Sequence, residues 1–215
     1  MDTERLDRLD ALIREDRIIR GAWTERDRAC LLAALAPEAG KAQSASTCPA
    51  EVMPEWLAHL TPWIDDAPSE EAWPALVRRY AALARQWHVL DAAGWERARI
   101  GALISIVSEA RAHCPQHETQ TLAAIDGVLA WLRRGAPASE RLAALWAAEA
   151  SATAAAAVTA AFAADCAAEA AKAAQSAAKA AAKAAARWSA TASDRIAASV
   201  LDAIEREIVA AEGRR

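Results

Sequence analysis

From Ala143 to Ala190, 29 of 48 residues are alanine, and neither glycine nor proline occurs between Ala138 and Glu212. Alanine has the highest helix propensity because fixing it in a helix loses no side-chain entropy. The stretch predicts helix, with Ser139 as N-cap just after Pro137. One unbroken rod over 140–188 would be roughly 75 Å long at about 1.5 Å per residue. A compact chain of this size has a radius of gyration of about 17 Å. The rod must therefore overhang the rest or break. Ser151-Ala152-Thr153 and Ser189 to Ser193 are the expected breaks, since these hydroxyls compete for backbone hydrogen bonds.

The polar positions on this segment are Asp165, Glu169, Lys172, Ser176, Lys179, Lys183 and Arg187. Their spacing is 4, 3, 4, 3, 4, 4, which is one solvent stripe on a nearly straight helix. The remaining circumference is alanine, whose methyl groups let helix backbones approach closely but bury little area each. Larger residues must fill the gaps, and Trp146, Val158, Phe162 and Trp188 are the expected anchors.

The other residues agree with an all-α chain. Only 7 Gly and 8 Pro occur in 215 residues, too few for the turns of a β-sandwich or barrel or for a phosphate-cradling loop. Nine of the 11 aromatics are Trp. Thr3 caps a first helix carrying Leu6, Leu9, Leu12 and Ile13, expected to end near Gly21. Thr24 is read as the cap of a second helix with Leu31, Leu32 and Leu35 inward, stopped by Pro37 and Gly40. Residues 40–48 read as loop. Pro54 is read as the first residue of a short helix over Glu55–Leu60. Ser69 or Trp73 caps a helix carrying Leu76, Val77, Tyr80, Leu83, Trp87 and Leu90. Helices follow over Trp95–Ala112, with Ile100, Leu103, Ile104 and Val107 inward, and over Thr119–Arg134, with Leu122, Ile125, Leu129 and Leu132 inward. Ser193 is read as the cap of a last helix, with Ile196, Val200, Leu201, Ile204 and Ile208 inward. The expectation is a single-domain multi-helix array, with a Trp-rich region over 1–138 and the alanine-rich segment over 139–215 packed on it.

The formal net charge is −4, and from Ser139 onward nine acids and nine bases cancel. A dedicated nucleic-acid binder carries a basic excess, so nucleic acid is not the expected partner. The charged start Met1-Asp2-Thr3-Glu4-Arg5 is unlike a signal peptide. The uncharged stretch Ala150–Ala164 is too short and too rich in Ala, Ser and Thr to span a bilayer. Cys30, Cys48, Cys114 and Cys166 are scattered, which suits reduced thiols in the cytoplasm.

No G-x-S-x-G, P-loop or H-E-x-x-H pattern occurs, and no cofactor is implied. His113, Cys114 and His117 are the one cluster of metal-capable side chains. Zinc takes such ligands in fours, so a second pair, such as Cys48 with His59, would have to come from far away. A helix-ending loop explains His113, Cys114 and His117 without metal. Asp65, Asp66, Glu70 and Glu71 form an acidic knot around Pro68. Such acids complement a helix N-terminus, or meet a partner's basic patch, or hold a divalent cation. Lys172, Lys179, Lys183 and Arg187 share one helix face, which reads as a solvated stripe or as a surface for an acidic partner. Five Trp between Trp56 and Trp95 read as core. Any that stand exposed together would mark a binding face.

Two stretches resemble the alanine-rich, immunity-5-like proteins and related phage and prophage proteins. They are the helix Ala123–Gly135 (AAIDGVLAWLRRG) and the alanine array Ala143–Trp188, followed by the amphipathic Asp194–Ile208. The resemblance covers roughly residues 100–210 and offers no catalytic residue to carry over. It implies a non-enzymatic protein that binds and neutralises another macromolecule. The expected function is accordingly a non-catalytic protein-binding module, an immunity or inhibitor protein of phage or mobile-element origin, in solution as a monomer or homodimer. Two alternatives stand beside it. One is a virion-associated scaffolding protein that assembles through alanine faces, and the other is an enzyme whose site has no familiar pattern.

Overall fold

A computed structural model describes residues 3–114, 116, 119–134 and 190–214. The alanine-rich array, its two anchoring Trp, the cationic stripe, Cys166 and the break at Ser151-Ala152-Thr153 lie outside the described residues.

Among these residues the chain is all-α, with one two-stranded hairpin. Helix α1 (Thr3–Arg14) buries Leu6, Leu9 and Leu12, spaced at helical intervals, as expected. It ends seven residues before Gly21. Asp16 turns the chain through a left-handed conformation (φ 54°), and the chain then runs extended beside Ala29. The Ala29 N–H donates to the Arg17 carbonyl and the Ile19 N–H to the Ala29 carbonyl. Thr24 caps no helix. It lies in strand β1 (Thr24–Glu25), paired antiparallel with β2 (Arg28–Ala29).

Helix α2 (Leu31–Leu35) starts at Cys30, whose sulfur accepts from the Ala33 N–H at 3.4 Å. Pro37 does stop it, and opens α3 (Pro37–Ala42). Gly40 lies inside α3 and does not terminate it. Its missing side chain is what allows contact, because a Cβ there would sit 2.8 Å from the Ala33 Cβ. Gln43 ends α3 in a left-handed conformation. Part of the stretch read as loop is therefore helix, followed by a 3-10 turn at Ala45–Thr47.

Helix α4 (Glu55–Asp66) runs six residues past the expected end, with Pro62 inside it. Pro54 is its N-cap, not its first residue, and its carbonyl accepts from the Leu57 and Ala58 N–H groups. Helix α5 (Trp73–Ala84) has Pro74 in its first turn and Ala72 as N-cap. Helix α6 (Ala92–His113) starts earlier than the apolar pattern suggests, because the Asp91 carboxylate accepts from the Gly94 N–H at 2.7 Å. Helix α7 (Thr119–Arg134) matches its expected span. The last helix, α8 (Ala190–Glu212), is already helical at Ser193, so that residue does not cap it and is buried in its first turn. Its inward stripe is as expected: Ile196, Val200, Leu201, Ile204 and Ile208 are all buried.

Helix α8 lies along α6 and touches α5, while α6 also packs on α7. Helix α2 sits between α1, α3 and α4. The main core joins α1, α2, α4, α5 and α8 through the start of α6, and a smaller cluster fills the α6–α7 seam around Val107, Ile125, Val128 and Leu129. The described tryptophans lie in the core or pack against it. Tyr80, Trp87, Trp95 and Trp56 pack edge to face in sequence, with ring centroids 5.4, 5.7 and 6.3 Å apart. This is the arrangement that aromatic quadrupoles favour. No described Trp is exposed. The buried Tyr80 hydroxyl lies 2.8 Å from the Thr61 hydroxyl, which donates to the Leu57 carbonyl.

Candidate functional site

The acidic knot occupies the corner where α4 ends and α5 begins, and the fold divides its members. Asp65 is fully buried. Its Oδ2 accepts from the Leu31 N–H at 3.0 Å and its Oδ1 from the Trp73 indole N–H at 2.8 Å. It therefore ties α4 to the start of α2 and of α5, and it is not a surface carboxylate that a partner can reach. Burial pushes its carboxyl up to about 6, and the two N–H donors pull the other way.

Asp66, Glu70 and Glu71 are exposed. One oxygen of Asp66 accepts from the Gly21 N–H at 2.7 Å. The loop that carries them is held from two further sides. The Arg20 guanidinium donates to the Asp66 carbonyl at 2.6 Å and to the Pro68 carbonyl, and lies 5.8 Å over the Trp73 ring. Ser69 donates from both its N–H and its hydroxyl to Asp194 of α8, at 2.7 and 2.9 Å. Arg20, Gly21, Asp66, Pro68, Ser69 and Glu70 line an open depression of about 570 Å³. It offers carboxylates at its edge and a guanidinium occupied with backbone carbonyls. Such an arrangement can receive a cationic side chain. Ser69 of the depression accepts on its hydroxyl from the Ala72 N–H, and is spent on structure.

Arg20 and Asp194 organise this corner, and neither stands out in the sequence. Arg20 is 46 positions from Asp66 and Asp194 is 125 from Ser69. No spacing rule reaches across such distances.

Among the described residues the other candidates do not come together. His113 is exposed at the end of α6, its Nδ1 3.0 Å from the Glu109 carbonyl oxygen, whereas Cys114 is buried and His117 lies outside the described residues. His59 faces Ser46 and Glu55, at 3.5 and 3.7 Å. Among the described residues no three His, Cys, Asp or Glu side chains converge as metal ligands would. Cys30 and Cys48 carry free thiols, and burial pushes both up to about 11, away from the thiolate form. Lys172, Lys179, Lys183 and Arg187 lie outside the described residues. Among the described residues no helix is long and apolar enough to cross a membrane. No known protein family, curated protein or solved structure matches this chain.

Proposed function

We propose that this chain is a non-catalytic protein-binding module of the immunity or inhibitor type, acting in the cytoplasm, whose acidic corner takes a basic patch of its partner. One observation carries the reading. Asp66, at the end of α4, and Glu70 and Glu71, on the loop after it, stand exposed at a corner that Arg20, Gly21 and Asp194 hold in place. Fixing the loop beforehand reduces the ordering cost of association. Charges placed at a rim chiefly steer a complementary surface and set its register. The free thiols of Cys30 and Cys48 fit a reducing compartment.

The test starts from a partner captured by cross-linking in cells that make the protein, followed by titration calorimetry with that partner. Reversing both glutamates, Glu70→Lys with Glu71→Lys, is expected to weaken binding by about tenfold or more at low salt, with an unchanged circular dichroism spectrum. Equal affinity of the reversed variant would sink the assignment of this corner.

A further inference from the structure

We draw no further inference here: the strongest candidate, the open depression that Arg20, Asp66, Ser69 and Glu70 line at the α4–α5 corner, belongs to the site already described and has no second feature that points to a particular ligand.

Discussion

Asp194, near the start of the last helix, accepts two hydrogen bonds from Ser69, at 2.7 Å from its N–H and 2.9 Å from its hydroxyl. This single carboxylate fastens the α4–α5 loop to α8 across 125 positions of sequence. Hydrogen bonds to a charged group contribute more than neutral ones. Asp194→Ala is expected to cost about 1–3 kcal/mol in urea unfolding. Ser69→Ala, which keeps the backbone N–H bond, should cost about 1 kcal/mol. The double variant should cost less than the sum, because both changes break one shared bond.

Arg5 couples two elements at once. Its guanidinium grips Glu38 with both nitrogens, at 3.0 and 2.8 Å, and donates to the Leu35 carbonyl at the end of α2. Glu38→Gln should cost under about 1 kcal/mol, and less in high salt, since the carboxylate is exposed. Arg5→Ala should cost more and depend less on salt, because the Leu35 carbonyl also loses its donor. Parallel denaturation at low and high ionic strength separates the two.

Two glycines inside helices should respond in opposite senses to alanine. Among the described residues a Cβ on Gly127 of α7 meets nothing within 4 Å, so Gly127→Ala should stabilise by about 0.5–1 kcal/mol through helix propensity. A Cβ on Gly40 would lie 2.8 Å from the Ala33 Cβ and 3.2 Å from the Thr24 Cγ2. Gly40→Ala should destabilise by about 1–3 kcal/mol, because overpacking outweighs propensity there. Thermal unfolding of the two variants reads both signs directly.

The pH dependence of stability has two opposed parts. Burial raises the Asp65 carboxyl from 3.8 to about 6 in the folded state. Between these values the folded chain binds more proton than the unfolded chain, so this group's contribution falls as pH rises through the window. Asp65→Asn should remove that slope. The Glu38 carboxyl is lowered from 4.5 to about 2 by hydrogen bonding to Arg5. Its contribution is present above 4.5 and is lost as pH falls toward 2. Glu38→Gln should flatten the acid limb and leave the limb near pH 6 unchanged. Denaturant midpoints measured from pH 3 to pH 8 check both slopes.

Within the described residues, periodicity gave away the long helices α1, α5, α6, α7 and α8, but not α3 or the second half of α4. The apolar stripe of α8 is buried as its spacing predicts, because burial of apolar area is set by which side of a helix a residue occupies. Those of α1 and α7 are buried except for the half-buried Ile13 and Leu122. Of the α5 stripe, Trp87 and Leu90 are buried beyond the helix end at Ala84. The helix ends were less legible. Thr24 and Ser193 look like caps, yet Thr24 pairs with Ala29 in a hairpin and Ser193 is buried in a helix that has already begun at Ala190. The acidic knot was visible as four carboxylates, but their sequence spacing does not reveal their roles. Local sequence determined where charge collects and which segments coil. Only the tertiary structure decided that Asp65 points inward to Leu31 and Trp73 while Asp66, Glu70 and Glu71 face water, because burial and long-range hydrogen bonding depend on chain segments far apart in the sequence.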